Sequence, residues 1–172
     1  MQAHSRLDTN RFQQEKAMQL EQRITQLGLQ LPPPPPAAGN YVAGVITGNL
    51  LFMSGCGPRR ADGVYTKGKV GAELSVEEGY AAARQVGLNM LANIRSVLGS
   101  LDRVERVVKT LGMVNCTPDF GSMPKVIDGF SDLFVEVLGA ERGRGARSAV
   151  GMMALPSQIA VEVEMVLEIS GA

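Results

Sequence analysis

Histidine is nearly missing from this chain: the one copy in 172 residues is His4, in a polar N-terminal tail. Ser-His-Asp triads, Cys-His pairs, paired-histidine ribonuclease chemistry and the usual zinc sites all need imidazoles, so acid and base work in the folded part falls to Asp, Glu, Lys, Tyr or Cys. No metal site and no cofactor motif is expected. Cysteine is scarce too. Cys56 and Cys116 make no framework and read as two separate reduced thiols, which agrees with a reducing compartment. Cys116, before Thr117-Pro118, has no cationic neighbour in sequence to activate it. Neither charge sign is in excess. Seventeen basic and seventeen acidic residues cancel, so nothing supplies the basic field behind non-specific nucleic-acid affinity, and a nucleic acid is a disfavoured partner. Long apolar runs and a secretory h-region are absent, which predicts a soluble cytoplasmic protein with no membrane partner.

What is present is enough for a full core: 45% of the residues are hydrophobic. The chain reads as one globular domain, residues 39–172, behind an N-terminal extension, residues 1–30, and a Pro-rich linker, residues 31–38. Met1 to Gln14 is polar and aperiodic. From Glu15 to Leu27 the spacing of Ala17, Leu20, Ile24 and Leu27 predicts a short amphipathic helix, ended by Gly28. Leu31 and the run Pro32 to Pro36 form an extended spacer.

Two apolar runs, Tyr41–Ile46 and Leu50–Met53, flank Thr47-Gly48-Asn49 and predict a hairpin. Ser54-Gly55-Cys56-Gly57-Pro58 follows. Its glycines allow close approach of another surface or a small ligand, and Ser54 offers a hydroxyl there; a plain strand-ending turn fits the same letters. Ser75 and Glu78 make a capping box, and a helix runs from there to Gly99. Tyr80, Asn89 and Asn93 read as its packing and surface residues. Val104 to Val114 has strand character. A second helix starts near Met123-Pro124, carries Val126, Ile127, Phe130, Leu133, Phe134, Val137 and Leu138 as its buried stripe, and ends at Gly139.

The last stretch, Ala146 to Ile169, reads as two strands joined by a turn at Leu155-Pro156-Ser157, so the predicted order is hairpin, helix, strand, helix, hairpin. Val161 to Ile169 alternates strictly, which puts Val161, Val163, Met165, Leu167 and Ile169 on the core face and Glu162, Glu164, Val166 and Glu168 on the other. Glu162 and Glu164 then stand about 7 Å apart on one strand. Arg147 is expected on the strand entering the same hairpin. An arginine beside a carboxylate that can handle water is a candidate active site, and a solvated face of ordinary surface charge explains the same pattern. The economical packing is α+β, a mixed sheet with two long helices on one face. The other face must then meet water or another subunit.

From Gly39 to Ile169 the chain resembles the Rid/YjgF family of reactive-intermediate deaminases, also labelled L-PSP endoribonucleases. The resemblance rests on Gly39-Asn40-Tyr41-Val42 with Thr47-Gly48-Asn49, Ser54-Gly55 with Gly57-Pro58, Thr117-Pro118-Asp119-Phe120, and above all Ala146-Arg147-Ser148 followed by Leu155-Pro156 and Val161-Glu162-Val163-Glu164. It is similar to a longer branch with an N-terminal helix ahead of the common domain. The resemblance implies a chorismate-mutase-like fold and a homotrimer with three intersubunit clefts. It also implies that Arg147 holds a substrate carboxylate, that Glu162 positions or activates water, and that Tyr41, Ser54 and Gly55 line the cleft. The implied reaction is that of a 2-iminobutanoate/2-iminopropanoate deaminase, hydrolysing 2-imino acids to 2-keto acids and ammonia without a cofactor. The sequence departs from the family at Ala149, where many members carry cysteine. Two other functions stay open: a non-catalytic trimer binding small carboxylates such as 2-keto acids, and an endoribonuclease, which the charge balance and missing histidines disfavour.

Overall fold

The alternating stretch from Val161 to Ile169 forms the strand at the centre of the molecule. In the computed structural model, which describes residues 19–34 and 39–171, the elements in chain order are α1 (Leu20–Gln26), β1 (Gly44–Thr47), β2 (Leu50–Cys56), α2 (Val76–Leu98), β3 (Val104–Asn115), α3 (Met123–Leu138), the single turn α4 (Ala140–Gly143), β4 (Ala146–Met152) and β5 (Val161–Ile169). One five-stranded sheet has the order β1-β2-β5-β3-β4. Every pairing is antiparallel except β3 with β4, which run parallel. The tail Met1 to Gln14, the first residues of the expected N-terminal helix with Ala17, and Pro35 and Pro36 lie outside the described residues.

The first hairpin forms where its turn residues predict. Gly48 has φ +56 at the first of the two residues between β1 and β2, the position where a tight hairpin of primed type takes glycine without steric cost. The segment Tyr41–Ala43, expected to open the first strand, lies ahead of the ladder, which starts at Gly44.

The capping box is complete: Ser75 Oγ accepts from the Glu78 amide at 3.1 Å, and the Glu78 carboxylate accepts from the Ser75 amide at 2.8 Å. Gly99 closes α2 in the left-handed region at φ +81. α2 and α3 both cover one face of the sheet. Val86, Met90 and Ile94 from α2, Ile127, Phe130 and Leu133 from α3, and Val163, Met165 and Leu167 from β5 form the centre of that core, all at most 2% exposed. The helices approach closely at Gly129, where a Cβ would lie 2.1 Å from the Tyr80 carbonyl oxygen. Any side chain there would force them apart.

α1 docks on this helical layer through Leu20 and Ile24, both buried. Its Glu21 accepts from Arg95 Nε at 3.0 Å and from the Leu101 amide at 3.0 Å, and the Arg95 Nη2 distance is 2.5 Å. No helix among the described residues is long and apolar enough to cross a membrane.

One expectation about the sheet is overturned. β4 and β5 are not a hairpin, because β3 lies between them and pairs with both. The reason is the connection ahead of β4: α3 spans the sheet between β3 and β4, and a helical crossover returns the chain parallel to the strand it left. β4 thereby becomes an edge strand and β5 fills the gap between the two halves of the sheet.

The sheet face away from α2 and α3 carries Glu162, Glu164 and Val166 as the alternation requires. In register across it run Val45, Phe52, Val166 and Lys109 in one row and Glu162, Met113 and Val150 in another. Phe52 is 44% exposed and Val45 55%. Large apolar side chains thus stand uncovered in the isolated chain.

Candidate functional site

β2 and β5 build one half of the site. Two residues of β2, Ser54 and Gly55, lie between the pairs Met53↔Met165 and Cys56↔Val163, so together they oppose the single residue Glu164. This is a β-bulge, a device that bends a strand and re-aims its side chains. Ser54 grips the segment after Tyr41 twice: its amide donates to the Ala43 carbonyl at 2.9 Å and its hydroxyl to the Val42 carbonyl at 2.7 Å. Gly55 lies directly against Glu162, and a Cβ there would come within 2.1 Å of Glu162 Oε1. Gly55 and Glu162 are therefore in direct contact, with Ser54 the preceding residue on β2. Tyr41, the residue before Val42, is 51% exposed.

The electrostatics of this half suit a base. Partial burial, reinforced by the negative charge of Glu164, raises the Glu162 carboxyl above its ordinary value of 4.5. A carboxylate so raised holds a proton better than a free one and accepts one from water more readily. Beneath it, burial and then the Glu162 charge push the Cys56 thiol up to about 12. Cys56 is protonated at neutral pH and receives a contact from Asn93 Nδ2 at 3.7 Å. Both cysteines are free, as expected, and both are buried.

β4 and α3 build the other half. Arg147 pairs with Thr110 of β3, which is buried on the helix side. Its guanidinium accordingly reaches α3, where Nη1 donates to Asp128 Oδ1 at 2.8 Å and to Ser131 Oγ at 3.0 Å. Ala149, two residues on, follows the same face and packs against the core. Neither Asp128 nor Ser131 stands out in the sequence. The available signal is their spacing of three on the polar flank of the helix that precedes the arginine strand.

The two halves do not meet within one chain. Arg147 sits beside Thr110, while Glu162 sits beside Met113. Those positions on β3 are three apart, an odd number, so the two side chains leave opposite faces of the sheet, about 10 Å apart along the strand. The expectation that Arg147 and Glu162 share a hairpin face fails with the hairpin itself. Glu164 does keep company with Glu162, as the alternation predicts. No group of three or more His, Cys, Asp or Glu among the described residues could hold a metal ion.

Comparison with known proteins gives a consistent result. The profile of the YjgF/chorismate mutase-like endoribonuclease family matches residues 21–168. Protein TCP17 of Trypanosoma cruzi is 43% identical over 147 residues, 86% of this chain and 92% of TCP17. The crystal structure of Atu1372 from Agrobacterium tumefaciens, a protein of unknown function, is 38% identical with a TM-score of 0.79, over 88% of this chain and 94% of that one. A candidate endoribonuclease from Shewanella oneidensis is 33% identical with a TM-score of 0.83, over 88% of this chain and all of its own.

Proposed function

Because the chain belongs to the YjgF/chorismate mutase-like family, we propose that it assembles as a homotrimer and hydrolyses 2-imino acids to 2-keto acids and ammonia in clefts between neighbouring copies. The observation that carries this reading is the placement of Arg147 and Glu162 on opposite faces of one sheet. Each is half of a site, and a neighbouring copy is the economical source of the other half. The exposed Val45 and Phe52, in register with half-buried Val166, support the same assembly, since such a face is more stable covered.

The chemistry follows from the side chains. Among the described residues Arg147 uses only Nη1, so Nη2 and Nε remain to grip a substrate carboxylate with two parallel hydrogen bonds. This fixes the imine carbon in space. The partner's Glu162 takes a proton from water as the water oxygen bonds to that carbon, giving a tetrahedral carbinolamine. Glu162 passes that proton to the nitrogen, and as the hydroxyl loses its own proton the C–N bond breaks, releasing ammonia and leaving the keto acid. An iminium is already electrophilic, so the site needs orientation and a modest base rather than a metal. Tyr41, Ser54 and Gly55 line the Glu162 side of the cleft.

Imino acids generated in situ by an amino-acid oxidase, with semicarbazide trapping what remains, provide the test. Native protein is expected to speed ammonia and keto-acid release, and Arg147→Ala and Glu162→Gln are each expected to abolish the acceleration. Refolding the two variants together in equal amounts restores about a quarter of the clefts, because each cleft then draws an intact arginine from one copy and an intact glutamate from another. A mixture with no recovered activity would overturn the shared cleft. No acceleration by native protein would leave a trimer that binds small carboxylates, in which Glu162→Gln spares binding and Arg147→Ala removes it.

A further inference from the structure

The partners of Arg147 bear on which molecules its half of the site accepts. Arginine–carboxylate pairs frequently close into a fork, two parallel bonds using both carboxylate oxygens and two guanidinium nitrogens, which leaves neither group an edge for a ligand. Arg147 and Asp128 do not. Nη1 alone is engaged, shared between Asp128 Oδ1 at 2.8 Å and Ser131 Oγ at 3.0 Å. Asp128 Oδ2, Arg147 Nη2 and Arg147 Nε have no hydrogen-bond partner among the described residues, and the two side chains are 46% and 26% exposed. The pair is open on both sides and lies at the sheet edge on β4.

The surrounding residues emphasise the contrast. Asp128, Asp132 and Glu136 follow one another at intervals of four along α3. Asp132 accepts from the Tyr80 hydroxyl at 3.0 Å, and Glu136 pairs with Arg84 at 2.7 Å. Both of those bonds join α3 to α2. Asp128 instead faces the arginine that the proposed reaction needs, where a helix-to-helix tie has no role.

We propose that Asp128 is a specificity-determining residue: with Arg147 it forms a paired-charge site that selects a zwitterion, a carboxylate carrying a cationic nitrogen on the adjacent carbon, over a plain carboxylate. This rests on the reading of Arg147 as the carboxylate anchor. The open guanidinium edge takes the substrate carboxylate, and Asp128 Oδ2 accepts from the N–H of the iminium. A 2-keto acid brings one negative charge to a pair whose net charge is zero and meets the aspartate with no donor to offer it. Hydrolysis converts the first kind of molecule into the second, so the same arrangement that admits the substrate releases the product.

Stable stand-ins make the selection measurable. 2-Aminobutanoate, 2-oxobutanoate and butanoate share a carbon skeleton and differ in the group beside the carboxylate. Titration calorimetry on the full chain is expected to rank 2-aminobutanoate above the other two. Asp128→Asn, which keeps an oxygen for Arg147 Nη1 but removes the charge, shifts the affinity ratio of amino to keto acid by about tenfold towards the keto acid. Ser131→Ala leaves that ratio unchanged. Wild-type protein that binds butanoate as tightly as 2-aminobutanoate overturns the proposal without recourse to any variant. An unchanged ratio in Asp128→Asn, with both ligands still lost in Arg147→Ala, overturns it alone and leaves the carboxylate anchor standing. Binding of none of the three ligands overturns both.

Discussion

The two faces of the sheet are made of similar residues and have opposite fates. On one, Val163, Met165 and Leu167 are buried by α2 and α3; on the other, Val45, Phe52 and Val150 stand in the open beside Glu162 and Glu164. The covered face is finished by the chain itself. The open face holds Glu162 half-buried, while Arg147 leaves the sheet on the other side. Stability is thus a property of one copy, and the proposed function a property of the arrangement between copies.

Large-to-small changes on each face break this comparison most sharply. Phe130 is 1% exposed and stacks on Phe134 at a ring-centroid distance of 4.6 Å, so Phe130→Ala is expected to lose about 3–5 kcal/mol in a denaturant titration. Phe52→Asp, on the open face, should leave the fold in place by circular dichroism yet reduce the sedimenting species to a single chain. A Phe52→Asp protein that remains trimeric would remove the open face from the interface.

Gly55→Ala comes next. Its methyl would occupy the space of Glu162 Oε1, and displacement of a base by about 1 Å costs on the order of 10²-fold in rate. Turnover should fall accordingly while the melting temperature changes little.

Smaller again is the effect of Glu162→Gln on stability. The folded-state carboxyl is raised, so wild-type protein loses stability as pH climbs from about 4.5 through that raised value and is flat above it. Glutamine carries no such slope. The variant should melt higher at neutral pH, by no more than about 2 °C for a partly exposed group, and equal the wild type below pH 4.5. Smallest is Glu164→Gln, which removes the charge that helps raise Glu162. The acid limb of the pH–rate profile should move to lower pH.

Much of the fold was legible because it is written in local chemistry. The Gly48-Asn49 turn, the Ser75/Glu78 capping box, the terminating Gly99 and Gly139, the apolar stripes of α2 and α3, and the alternation from Val161 to Ile169 each depend on residues within a few positions of one another. The sheet order was not legible in the same way. A strand's own pattern says which face is buried and nothing about its neighbours, so Ala146–Met152 and Val161–Ile169 read as partners although β3 separates them. The clearest clue was the helix before β4, which already implied a parallel crossover. The same limit governed the site. Gly55 meets Glu162 across neighbouring strands, whereas the tie from Arg147 to Asp128 and Ser131 spans 19 and 16 residues and depends on that crossover.

The central place of β5 bears on how the protein is made. Ribosomal synthesis yields β1 with β2 and β3 with β4 first, as two separate sheet fragments, and the strand that joins them emerges after all four. Until then the apolar inner sides of both fragments have no common sheet, and the edges of β2 and β3 are unpaired, the condition in which nascent chains aggregate. Glu162 travels on that same joining strand. A chain interrupted before Val161 therefore has neither a closed sheet nor the carboxylate proposed to act on water, so in the proposed assembly only completed copies could contribute one.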